Sequence, residues 1–184
     1  MNLFSSKKEK QLWLYALICW ILILSMLFLG QPLLQLFSNQ NIQAGFFIFG
    51  MLLVAAIIAI HAFRQNSDKL SLILWLSLLT LFSMFLLRLG LPERSHLIEY
   101  CILAILIHEA LLEKQKKSKS PWKVPLLAIG LTSALGLIDE TLQLLVPNRF
   151  FDIKDIIFNS FAAILAVGSR VIVDTIRRKI SKTE

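Results

Sequence analysis

His96, Glu99 and Tyr100 stand three and four residues apart, so on a helix all three share one face. Further along, Asp139, Glu140 and Gln143 repeat this spacing, and Asp155 and Asn159 form a third group four residues apart. An imidazole beside carboxyl groups can take up and return a proton, as acid–base chemistry requires. The same oxygens and nitrogen are also donors a divalent cation accepts, although nothing in their spacing demands one. Two arginines, Arg94 and Arg149, flank these groups. A guanidinium can grip a phosphate or carboxylate through two parallel hydrogen bonds. If they met, these residues would bring the carboxyls of Glu99, Asp139, Glu140 and Asp155 next to one histidine and two arginines. Such a cluster can recognise a polar head group, move protons, or simply pair internally and clamp helices together. No glycine-rich phosphate loop, HExxH zinc motif or GxSxG elbow is present, and neither a cofactor nor a metal is expected.

The elements that must position these residues are long apolar runs. Of the 184 residues 57% are hydrophobic and only 17% charged, against about 25% charged in typical soluble domains. A water-soluble fold of this size cannot hide that much apolar surface, so the bilayer must act as its solvent. Runs near the ~20 residues that cross a bilayer occur at Gln11 to Leu29, Ile42 to Phe63, Leu70 to Leu87, His96 to Leu112, Val124 to Val146 and Ile156 to about Ile176. Gln31-Pro32, Gly90-Leu91-Pro92, Lys116 to Pro121 and Val146-Pro147-Asn148 punctuate them. The first run is too long for a signal peptide and has no small-x-small cleavage site, so it reads as a retained anchor. The expected fold is an all-α transmembrane bundle of about six helices, forming a single membrane domain over residues 1–184.

The net charge of +7 does not point to nucleic acid, because the basic residues sit in short loops between apolar runs. Fifteen of the 19 Lys and Arg residues fall in the N-terminal tail, the second and fourth loops and the C-terminal end. Arg88, Arg94, Arg149 and Lys154 fall on the other side. The asymmetry places both termini in the cytoplasm. Asp139 then lies roughly 22 Å along a helix starting at Val124, towards the outer face, and all three polar groups meet there. His61, His108 and Glu109 fall at cytoplasmic helix ends, where interfacial placement explains them. Trp13, Trp20, Trp75 and Trp122 suit interfaces and packing. Cys19 and Cys101 read as packing residues. Gly130 with Ala134, and Ala162 with Ala166, offer small-xxx-small spacings for close helix contact.

At the same polar residues the chain resembles the VanZ-like family of bacterial membrane proteins. The first family pattern is a basic residue, a His, then Glu-Tyr and leucines, matched by Arg94, His96, Glu99-Tyr100 and Leu103. The second is Asp-Glu-x-x-Gln, apolar residues with Pro, then Arg, Asp and Asp or Asn. Asp139-Glu140-Thr141-Leu142-Gln143, Pro147, Arg149, Asp155 and Asn159 match it. The resemblance covers about residues 88–168. Leu142 stands where many relatives have a second histidine, and Ala162 and Ala166 where they have glycines. The resemblance implies a bacterial cytoplasmic-membrane protein of many passes. One member links the family to resistance to teicoplanin, a lipid-tailed glycopeptide. The implied partners are membrane lipids and a lipid-linked wall component or lipoglycopeptide. An enzyme acting on a lipid-linked head group, and a subunit with no site at all, are the rival expectations. The charge pattern makes a direct prediction: a reporter fused after Ser118 reads cytoplasmic and one at Asn148 reads exterior. Both on one side would end the six-helix topology.

Overall fold

The computed structural model describes residues 4–36, 39, 42, 44–45, 48–49, 52, 69–86, 91–115, 123–147 and 150–180. Among them the regular structure is entirely helical. The helices are α1 (Lys7–Leu36), α2 (Lys69–Leu86), α3 (Leu91–Gln115), α4 (Lys123–Gln143) and α5 (Ile153–Ile180). Within them, Lys7–Leu29, Lys123–Gln143 and Ile153–Ile176 are long and apolar enough to cross a membrane, with Leu72–Met84 a shorter apolar stretch. Of the expected run from Ile42 to Phe63, the described residues Ile42, Ala44, Gly45, Ile48, Phe49 and Leu52 are helical, and the rest lies outside the described residues.

Local chemistry sets the helix ends. Ser6 caps α1: its hydroxyl accepts the Glu9 N–H at 3.0 Å, while Glu9 Oε2 accepts both the N–H and the hydroxyl of Ser5 at 2.6 Å. Asp152 caps α5, with its Oδ1 accepting the Lys154 N–H at 2.8 Å. Pro92 was expected in a loop but falls in the first turn of α3, where its missing N–H costs nothing. Pro32 was also expected to end its helix, yet α1 continues to Leu36. One lost hydrogen bond within an otherwise apolar run does not stop that helix. The run expected to reach Val146 instead ends at Gln143. The Leu145 and Val146 N–H groups fold back to Leu142 and Gln143 carbonyls at 3.0 Å, tightening the end before Pro147.

Two compact units divide the chain: Met1–Phe28 with Leu91–Val171, and Leu29–Gly90 with Ile172–Glu184. In the second, α2 buries Ser83 and Leu86. The Thr80 and Ser83 hydroxyls bond to carbonyls of their own helix at 2.9 and 2.6 Å, which suits an apolar surrounding. In the first unit, α3 buries Leu97, Tyr100, Leu103, Ala104, Ile107 and Leu111, one helical stripe, while Ile98, Ile102 and Ile105 face outward. Apolar side chains on both faces are what a lipid-embedded helix carries.

The packing of α3, α4 and α5 reads from a few contacts. Cys101 Sγ donates to the Ala162 carbonyl at 3.4 Å, and Arg170 Nε lies 3.2 Å from Glu109 Oε1. Both pairs join α3 to α5 at one sequence offset, so these two helices run parallel. Tyr100 bonds to Asp139 of α4, and α4 runs antiparallel to α5, since Gly136 meets Asn159 while the later Glu140 meets the earlier Asp152. On α4 the buried stripe is Val124, Ala128, Thr132, Gly136, Asp139, Glu140 and Gln143. The expected small pair on α4, Gly130 and Ala134, faces outward instead. A Cβ at Gly136 would meet Asn159 Cβ at 3.0 Å, Asn159 Nδ2 at 3.1 Å and Tyr100 Cε1 at 3.3 Å. Gly136 is therefore where the three helices close up. Gly136→Ala should destabilise the protein by about 1–3 kcal/mol through overpacking. Gly130→Ala, which meets nothing within 4 Å, should be neutral or stabilise by up to about 1 kcal/mol. Thermal melting in detergent compares them, and equal shifts would refute the assigned contact.

Candidate functional site

The C-terminal end of α4 brings two adjacent carboxyl groups into the bundle. Asp139 and Glu140 have only 1% and 0% of their surface exposed, and Gln143 and Asn159 are buried beside them. Polar groups held this deeply need partners. Gln143 Nε2 donates to Glu140 Oε1 at 3.0 Å, one turn along the same helix. The backbone N–H of Asp152, just before α5, donates to Glu140 Oε2 at 3.3 Å. The Tyr100 hydroxyl of α3 donates to Asp139 Oδ2 at 3.1 Å.

Around this pair the other helices add their own groups. The His96 ring stacks on Tyr100 one turn away, with centroids 6.5 Å apart and planes at 26°. Donor atoms of His96, Glu140 and Asp155 all lie within 4.8 Å of one another, one residue from each of α3, α4 and α5. Glu99 is half-buried on the same turn of α3, within electrostatic reach of His96 and Asp139. Asn159 packs against Gly136, one turn from Asp155.

The structure therefore gathers His96, Glu99, Tyr100, Asp139, Glu140, Gln143, Asp155 and Asn159 at one end of α3, α4 and α5. Arg94 falls in the first turn of α3, with its side chain outside the described part. Arg149 lies outside the described residues. Sequence reasoning missed the Asp152 amide, whose signal was the capping spacing Asp152-x-x-Asp155. It also missed Gly136, although Ala128, Thr132 and Gly136 repeat the small-xxx-small spacing on the face that proves to be buried. Chemically, the arrangement offers an imidazole and carboxylates close enough to exchange a proton through a bridging water, bind a cation or hold a cationic or hydroxyl-bearing head group.

A family model described as VanZ/LLP1 matches residues 12–174 of the 184. The chain belongs to the VanZ/LLP1 family. Among curated proteins and solved structures, nothing matches it. The VanZ/LLP1 match takes in all the gathered polar residues and extends over the first helices, well beyond the stretch of about 88–168 that the polar motifs cover. Together with its membrane-length apolar helices, this makes the chain a VanZ/LLP1-type membrane protein. The Tyr100–Asp139 bond ties α3 to α4 of this VanZ/LLP1 bundle at its polar end. Tyr100→Phe should cost about 1–3 kcal/mol, the range for a hydrogen bond that can involve a charged group. Chemical or thermal unfolding in detergent measures it, and an unchanged stability would show that the contact carries none.

Proposed function

We propose that this VanZ/LLP1 protein lowers sensitivity to lipoglycopeptides of the teicoplanin type, or to comparable envelope stress, by engaging an amphiphile's head group at its polar cluster. In this reading it is a six-span protein of the bacterial cytoplasmic membrane, with both termini inside and the cluster at the outer leaflet. The amphiphile is the drug itself or a lipid-linked wall component. One observation carries the proposal: buried Asp139, Glu140, Gln143 and Asn159 converge with His96 and Asp155 from three helices of an otherwise apolar bundle. Ionisable groups are costly in a bilayer, at least about 2.5–3.5 kcal/mol each at its centre, and their concentration at one end supports a site. Arg94 and Arg149 would pair with an anionic head group, while the carboxylates and Gln143 orient its polar part.

The closeness of His96 to Glu140 and Asp155 favours a second reading, an enzyme acting on a lipid-linked head group. There His96 acts as general base and a carboxyl as acid. Turnover of a labelled lipid by the purified protein would separate this from simple binding.

Overexpression in a susceptible Gram-positive host should raise resistance to teicoplanin more than to vancomycin, because the lipid tail holds teicoplanin at the membrane. Glu140→Gln and Arg149→Lys should each abolish this protection with abundance and melting near normal. A clamp would behave differently: breaking a desolvated pair costs about 3–5 kcal/mol when fully buried, so abundance and melting would fall with protection. Equal or absent changes for the two drugs would overturn the reading.

A further inference from the structure

We propose that His96, Glu140 and Asp155 bind a divalent first-row metal cation, Zn²⁺ or Mn²⁺. Their donor atoms, one from each of three helices, lie within 4.8 Å of one another. Donors around such a cation sit at about 2.0–2.2 Å from it, so small side-chain movements bring these three onto one ion. One imidazole nitrogen and two carboxylate oxygens form a mixed donor set that suits these metals, and two carboxylates balance a double positive charge.

The surroundings hold these ligands as metal sites hold theirs. Metal-bound carboxylates are usually fixed by hydrogen bonds from a further layer of groups. Glu140 has that support on both oxygens, from Gln143 Nε2 at 3.0 Å and the Asp152 N–H at 3.3 Å. The Tyr100 ring lies alongside the His96 ring, with centroids 6.5 Å apart. A second, independent sign comes from unsatisfied atoms. Among the described residues, His96 Nδ1 is buried without a hydrogen-bond partner, and so are both amide atoms of Asn159. Asn159 is fully buried one turn from Asp155. Such atoms are rare in a folded interior. A metal would take up an imidazole nitrogen, and a water it carries would be a partner for an amide one turn from its Asp155 ligand.

The inference concerns the same cluster as the proposed function but makes no use of the drug. Metal uptake can fail while teicoplanin protection persists, and the reverse, so the two failures are distinguishable. The full chain, purified in detergent and stripped with chelator, is dialysed against Zn²⁺ or Mn²⁺ and its metal content measured by mass spectrometry. One ion per chain is expected. His96→Gln and Asp155→Asn should weaken uptake by more than the about 10–100-fold that loss of an outer-layer partner costs. Gln143→Ala should fall within that range. Glu109→Gln, which alters the contact with Arg170 further along α3, should leave uptake unchanged. Added metal should raise the melting temperature of the wild type and of Glu109→Gln, but not of His96→Gln. Pulsed electron paramagnetic resonance of Mn²⁺-loaded wild type should show coupling to an imidazole nitrogen, a readout that needs no variant to fold. No uptake by the wild type, oxygen-only coordination, or undiminished uptake in folded His96→Gln and Asp155→Asn would each overturn the proposal.

Discussion

Asp139 and Glu140 stand side by side at the end of an apolar helix with almost no exposed surface, and that requirement for partners organises the rest of the bundle. Each must be met by a group brought from elsewhere in the chain. Tyr100 comes from α3, the Asp152 amide from the start of α5, and Gln143 from the next turn of α4. Meeting the first two fixes which ends of the helices lie together. It also sets how close they come, because α4 needs a glycine at position 136 to let Asn159 and Tyr100 approach. Packing and polar satisfaction thus impose the same arrangement, which is what gives a structure a single answer.

The other end of the same unit is held differently. There Lys8 Nζ lies 3.8 Å from Glu113 Oε2, the Ser6 hydroxyl donates to Glu113 Oε1 at 3.2 Å, and Arg170 meets Glu109. The Lys8 side chain is 63% exposed, and ion pairs of that kind contribute about 0–1 kcal/mol. Water or lipid head groups can replace such partners readily. They cannot do so for Glu140. The exposed Lys8 therefore tolerates substitution, while the end that holds Asp139 and Glu140 concentrates the demand for exact residue types.

The membrane-length helices were legible because bilayer thickness imposes a length on apolar runs, and α1, α4 and α5 follow it. The gathering of the polar residues was legible from helical spacing: His96, Glu99 and Tyr100 do share a turn, and Asp139 does reach their depth. Helix ends were read less well. Pro32 and Pro92 looked like breaks, yet each lies within a helix. The identity of partners was hidden for a physical reason. Spacing along a helix says which residues share a face, but not which neighbouring helix that face meets. Hence the three-helix grouping of His96, Glu140 and Asp155, and the contact of Gly136 with Asn159, appear only in three dimensions. The small-residue rule pointed to Gly130 and Ala134, which face outward, because spacing alone does not say which of two stripes on α4 is the inner one.

The turn after α4 bears on how anything could reach the cluster. Leu144, Leu145, Phe150 and Ile153 are all exposed, Leu145 to 79% and Phe150 to 84%. On the proposed topology, a connection so apolar would settle among acyl chains and head groups rather than in bulk water. The groups it leads to would then be approached sideways, along the plane of the sheet of lipid. For a molecule that partitions into that sheet, encounters scale with its number per unit area rather than per unit volume. Lengthening its tail would strengthen occupancy without adding one contact to the protein, at about 0.8 kcal/mol for each methylene taken up by lipid.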